Sequence, residues 1–166
     1  MKKISILILC VAVFVGCVAA KPQTPGGKKI VAKSGRPLPV IGVSIDSNYD
    51  NRLDHVLKGY KLLPILMKNY SLKSIPMDVK NDRWVVIGEK GQKYTAVNSL
   101  RVKDPAAWRR LPEDVKNLID YPEIIPIEYS VTFDLLMPSS ANLDYFKEIR
   151  FYSEPLQKEI VIEKDY

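Results

Sequence analysis

An alternation of apolar and polar residues over positions 127–135 limits the possible folds most strongly. Every odd position is apolar or aromatic, and Glu, Ser, Thr and Asp stand between them. A period of two residues is that of a β-strand, in which successive side chains point to opposite faces. The pattern therefore predicts a strand with one buried face and one wet face, and hence a sheet that packs against something on one side only.

Further short apolar runs predict a sheet of many strands. They cover residues 40–45, 60–67, 84–87, 94–97, 149–152 and 159–162. The Gly-rich residues 88–91 predict a hairpin turn, and Pro64 indicates an edge strand or a bulge because proline cannot donate to a ladder. Strands and turns at this spacing are typical of a mainly β protein, and we expect residues 39–166 to form one antiparallel β-sandwich.

One segment between the predicted strands has the pattern of helices. Asp104 followed by Pro105 is an N-cap with proline in the first turn, which predicts a short helix over residues 104–111. Residues 112–119 begin with Glu113 and Asp114, and acidic residues favour the first turn of a helix. The sequence therefore predicts a short helical insertion in the sandwich.

The first twenty residues have the layout of a secretory signal. Lys2 and Lys3 precede an apolar run over residues 4–15, and small residues surround Cys17. The run is shorter than the roughly twenty residues of a membrane-spanning helix. We therefore predict that residues 1–20 are a signal peptide of an exported protein and are not part of the fold.

Two cleavage sites compete in this segment. Residues 14–17 resemble the lipobox of bacterial lipoproteins, although Phe14 stands where Leu is usual. The resemblance implies that Cys17 carries lipid (palmitate among the acyl chains) and anchors the protein to a membrane. It favours the outer membrane, because no Asp follows Cys17. Residues 18–20 suit ordinary signal peptidase instead, which would leave a soluble periplasmic or secreted protein.

Charge and cysteine content separate the leader from the domain. Cys10 and Cys17 are the two cysteines of the chain, so the domain has no disulfide, thiolate nucleophile or Cys metal site. Residues 21–38 are rich in Pro and Gly and hold five basic and no acidic residues, which predicts a flexible basic linker. With the signal and linker set aside, the domain is nearly neutral, and we expect no nucleic-acid partner.

Loose motifs across residues 56–162 resemble the immunoglobulin-like domains of bacterial surface lipoproteins. The strand at 60–67 is followed by Asn69 and Ser71 in an Asn-x-Ser pattern, and Gly91 and Tyr94 stand in the turn of the next hairpin. Later, the alternating strand ends at Pro138. The resemblance implies a single immunoglobulin-like sandwich, a fold that these domains share without sharing one chemistry.

Two clusters are candidate sites. Asp46, Asn48 and Asp50 supply oxygens at alternate positions, as in the start of a calcium loop. Asn51 and Leu57 break that pattern where Gly and Glu are expected, so the alternative is a polar loop between strands.

The second cluster contains Trp108, Arg109 and Arg110, residue types that are enriched at protein interfaces. The alternative for Trp108 is burial against the sandwich. His55 is the single histidine and has no recognisable catalytic partners, so we expect no enzyme activity and no cofactor.

These features predict a membrane-tethered lipoprotein of the cell envelope. We expect a non-catalytic protein-interaction or assembly module whose partner is another envelope protein. The alternative is a ligand-binding envelope domain for calcium or a glycan.

Overall fold

The computed structural model describes residues 43–163, together with the backbone of residues 30–33. The strands are β1 (Ile30–Lys33), β2 (Val43–Asp46), β3 (Tyr60–Asn69), β4 (Ile75–Pro76), β5 (Arg83–Gly88), β6 (Lys93–Thr95), β7 (Ile124–Ile125), β8 (Ser130–Pro138), β9 (Phe146–Ser153) and β10 (Lys158–Glu163). The helices are α1 (Leu100–Lys103), α2 (Pro105–Arg110) and α3 (Glu113–Ile119), and a short 3-10 turn covers Asn51–Leu53.

Two sheets form the sandwich. One has the strand order β1-β10-β9-β5-β6, the other has the order β2-β3-β8, and β4 pairs with β7 in a small ribbon. Every pairing between these strands is antiparallel except that of β1 with β10. The separation of β3 and β8 from β5, β9 and β10 is the connectivity of an immunoglobulin-like domain. The predicted mainly β, immunoglobulin-like sandwich is therefore confirmed.

Alternate residues of the facing strands fill the space between the two sheets. The buried side chains of this main core include Leu63, Ile65 and Met67 of β3, Phe133, Leu135 and Met137 of β8, Trp84 and Val86 of β5, and Ile149 and Phe151 of β9. Trp84 is fully buried and stacks on Phe151 with ring centroids 4.0 Å apart. In antibody domains the corresponding Trp packs against a disulfide. Here an aromatic ring takes that place, in a domain without cysteine.

The helical insertion covers the outer face of the three-stranded sheet. Leu62 of β3 and Leu136 of β8 point away from the main core and pack with Leu57, Leu100 and Ile119 in a second core. The insertion predicted from the sequence is thus confirmed, and it includes the additional helix α1.

The second core changes the burial expected for β8. Phe133 to Met137 are all buried, including Asp134, because one face meets the main core and the other faces the side covered by the helices. Ile127 and Tyr129 precede the strand and are exposed. The prediction of one buried and one wet face therefore holds over residues 130–133, whereas it is wrong at Ile127 and Tyr129, which are exposed, and at Asp134, which is buried.

Pro64 lies in a strand that has neighbours on both sides, yet it sits at a local edge. The ladder of β2 with β3 ends at Asp46 opposite Leu66, and beyond it the Ser47 hydroxyl donates to the Pro64 carbonyl at 2.8 Å. The N and O atoms of a strand residue point to the same side. The missing N–H of Pro64 therefore costs no bond to β8.

Strand β1 falls inside the segment that the sequence predicts to be a linker. Ile30 pairs with Ile160 and Lys33 with Glu163. The two β-branched residues of this segment favour an extended backbone, and the edge of β10 offers unpaired backbone groups. Residues 1–29 and 34–42, which hold the predicted signal, Cys17 and the rest of the linker, lie outside the described residues. None of the helices described is long and apolar enough to cross a membrane.

Candidate interaction surfaces

The helical insertion is held by side-chain caps. The Ser99 hydroxyl accepts from the Val102 N–H at 3.3 Å at the start of α1, and the Asp104 carboxylate accepts from the Ala107 N–H at 2.9 Å at the start of α2. Pro105 occupies the first turn of α2, where its missing N–H costs nothing. The predicted N-cap of Asp104 is therefore present.

The structure separates the members of the Trp108, Arg109 and Arg110 cluster. Trp108 is half-buried and packs against the second core, with the Lys116 ammonium 6.0 Å from its ring centroid. Arg109 and Arg110 are exposed. The arginines are thus available for contact, whereas the indole mainly fixes α2 to the sheet.

A cleft of about 620 Å³ lies beside α1. Its apolar wall includes Val79, Val97 and Val102, and Lys80 and Lys103 bring two ammonium groups to it. Val102 is 70% exposed although it is apolar. The volume is within the range of roughly 300–1,000 Å³ that is typical of ligand pockets. Because the lining comes from two stretches of the chain, residues 79–80 and 95–103, no local sequence pattern indicates this cleft.

Helices α1 and α2 make the surface next to the cleft basic. Arg101, Lys103, Arg109 and Arg110 are all exposed, and the one acidic residue among them is the capping Asp104. We call this surface, the cleft together with the exposed faces of α1 and α2, the insertion face. Its charge and its apolar cleft suit an acidic segment that also carries an apolar side chain.

A second exposed surface lies at one end of the sandwich, where β3 ends and β8 begins. We define the loop end as residues 70–74 and 124–129. Its exposed large apolar side chains are those of Tyr70, Leu72, Ile124, Ile127 and Tyr129, of which Leu72 is 89% and Tyr129 66% exposed. Several large apolar side chains exposed at one end of a domain indicate a contact site, because exposed apolar surface is unfavourable in water.

Asn69 fastens the two segments of the loop end to each other. Its buried side-chain amide donates to the Lys73 carbonyl at 2.8 Å and to the Ile125 carbonyl at 3.1 Å. Its oxygen accepts from the N–H and hydroxyl of Ser71 at 2.8 and 2.7 Å. The Asn-x-Ser pattern in the sequence is therefore the device that orders this end.

A buried polar chain stabilises the neighbouring connections. The Trp84 indole N–H donates to the Tyr121 hydroxyl at 3.0 Å, and that hydroxyl donates to the Asp82 carboxylate at 2.9 Å. Asp82 also accepts the backbone N–H groups of Asp78 and Glu154. Burial raises the pKa of the Asp82 carboxyl above its ordinary value, although the two N–H groups counteract this. These contacts tie the β4–β5 and β9–β10 connections to the core.

Two of the three residues of the candidate calcium loop, Asp46 and Asp50, have local partners. Asp46 accepts from the Ser47 N–H at 2.8 Å, whereas Asp50 caps the 3-10 turn through the Arg52 N–H at 2.9 Å. The hydrogen bonds from Arg52 lower the pKa of Asp50. Among the residues that the structure describes, no group of three His, Cys, Asp or Glu side chains is placed to hold a metal ion. Calcium binding through Asp46, Asn48 and Asp50 stays a prediction.

No protein-family model matches this chain, and no curated protein matches it. A solved structure of an uncharacterised β-sandwich protein from Clostridium difficile 630 aligns with 87% of this chain and 100% of its own, at 13% sequence identity and a TM-score of 0.39.

Proposed function

We propose that this chain is a cell-envelope lipoprotein, anchored through acylated Cys17, that acts as a non-catalytic protein-interaction module. The observation that carries the proposal is the insertion face. It combines an apolar cleft of about 620 Å³ with four exposed basic side chains on two consecutive short helices.

The partner that fits this face is a protein with an acidic segment. Arg101, Arg109 and Arg110 do not line the cleft, so the basic surface is wider than the cleft itself. A surface of that width suits an extended acidic segment better than a small ligand that only the cleft would hold. Basic side chains at the rim steer an acidic partner, and an apolar side chain inserted beside Val102 would add affinity.

The half-buried Trp108 supports the same proposal in another role. Because its ring packs on the second core, it holds α2 in one orientation on the sheet. Arg109 and Arg110 then protrude from a rigid base, which reduces the entropy lost when they bind.

Affinity purification of the lipidated chain from its own envelope tests the proposal. The double variant Arg109→Glu/Arg110→Glu should lose the partner that the native chain recovers. The matched control is Lys90→Glu/Lys93→Glu, which reverses two exposed charges on the β5–β6 hairpin and should recover it. Equal recovery with both double variants would contradict the assignment of the insertion face.

A further inference from the structure

We propose that the loop end rests on the lipid bilayer, so that its exposed apolar side chains contact the membrane surface that carries the tether. The proposal rests on the lipid anchor of the proposed function, but it concerns a surface other than the insertion face. Its first support is the exposure of Tyr70, Leu72, Ile124, Ile127 and Tyr129 at one end of the sandwich. Aromatic side chains with a polar tip and an apolar body are enriched at membrane interfaces.

The second support is the point at which the chain enters the domain. Val43 begins β2 opposite Asn69, directly at the loop end. Strand β1 is parallel to β10, and β10 begins beside the end of β9, where Glu154 bonds to Asp82. Strand β5 begins at Arg83, next to Asp82, so Asp82 marks the end of the sandwich at which β5 starts and β9 ends. This is the end that carries the loop end, and both strands that enter the domain, β1 and β2, start there.

The length of the tether keeps the domain close to the bilayer. Residues 18–29 separate Cys17 from the start of β1. Even fully extended, that stretch spans at most about 45 Å, from a limit of roughly 3.5 Å per residue. With β1 paired, the loop end is the end of the domain nearest to the acylated residue along the chain, and it stays within about 45 Å of the bilayer.

The charges at the loop end favour apolar contact over purely electrostatic contact. The formal charges of Lys73 and Glu128 within the loop end balance, as do those of Lys68 and Glu123 beside it. The Lys68 ammonium lies over the Tyr70 ring, 4.8 Å from its centroid. Lys28 and Lys29 in the chain that leads to β1 add positive charge on the tether side, which suits anionic lipid.

The test uses the full lipidated chain, purified from its host membrane, with one reporter cysteine. Leu72→Cys places a fluorophore on the loop end at a position where 89% exposure makes misfolding no concern. The matched control is Ser140→Cys, in the exposed β8–β9 connection next to Pro138, which pairs with Tyr60 at the opposite end of the sandwich. Each labelled protein is reconstituted into vesicles containing anionic lipid and a nitroxide-labelled lipid that quenches on contact.

We expect the label at position 72 to lose most of its emission and the label at position 140 to keep it. Equal emission at both positions overturns the proposal. A label at position 72 that is shielded from a water-soluble quencher but not reached by the lipid nitroxide also overturns it, because a protein then covers the loop end. Palmitate incorporation into the unsubstituted chain is measured in parallel. Its absence would show that the anchor has failed, which distinguishes that failure from a wrong orientation.

Discussion

The buried Asn69 offers the sharpest test of how the loop end is built. Asn69→Ala removes two hydrogen bonds donated to the Lys73 and Ile125 carbonyls and two accepted from Ser71. The Lys73 carbonyl still accepts a hydrogen bond from the Ser71 hydroxyl. The carbonyl of Ile125, a fully buried residue, loses the hydrogen bond that the Asn69 amide donates to it. At about 1 kcal/mol for each bond lost and more for an orphaned buried group, we expect a loss of about 2–4 kcal/mol in the free energy of unfolding.

Urea unfolding followed by tryptophan fluorescence measures this loss, because Trp84 is fully buried in the main core. The matched control is Asn142→Ala, an exposed asparagine whose oxygen accepts one bond from the Tyr145 N–H. We expect the control to change the free energy by less than about 0.5 kcal/mol. If the two substitutions cost the same, Asn69 does not hold the loop end together and the reasoning is refuted.

Three further predictions follow from the packing, the charges and the anchor. Trp108→Ala should lower the free energy of unfolding by about 2 kcal/mol, roughly half of the usual loss for a fully buried Trp, because the ring is half-buried. Arg109→Ala should leave the melting temperature unchanged, and an equal loss of stability in both variants would contradict this prediction. Burial raises the pKa of the Asp134 carboxyl, which is 7% exposed. The contribution of protonated Asp134 to the free energy of unfolding is therefore complete below the pKa of this carboxyl in the unfolded chain. It is lost as the pH rises through the pKa of the carboxyl in the folded protein. Asp134→Asn should raise the melting temperature at pH 7, with an advantage that shrinks as the pH is lowered through the folded pKa; an advantage that does not change with pH would refute the charge argument. Cys17→Ser should move the protein out of the membrane fraction and abolish palmitate labelling, and labelling that survives the substitution would exclude Cys17 as the acylated residue.

The strands and the insertion could be predicted because their signals are local. The Gly-rich turn over residues 88–91 and the capping pattern at Asp104 and Pro105 each depend on a few neighbouring residues. The period of two over residues 127–135 likewise located β8, although it could not show where the strand begins or what covers its outer face. The cover of the outer face depends on the packing of the helices against Leu62 and Leu136, two residues that are far apart in sequence.

The surfaces could not be predicted for the same reason. Ile127 and Tyr129 have the composition of core residues, and only the position of the sheet end decides that they are exposed. The cleft at the insertion face combines Val79, Val97 and Val102 from segments with no common pattern. The composition of residues 21–38 predicts a linker and not strand β1, because the pairing of β1 depends on the edge of β10, more than a hundred residues further along the chain.

In-cell photocrosslinking from position 102 tests the central claim, a tethered module that binds an envelope protein through its insertion face, most directly. Val102 is 70% exposed at the cleft, so a photoreactive residue there faces any partner without disturbing a core. We predict one discrete protein adduct that disappears with Arg109→Glu/Arg110→Glu and also with Cys17→Ser, and none from a photoreactive residue at Asn142. An adduct that persists in both variants, or an equal adduct from position 142, would contradict the account.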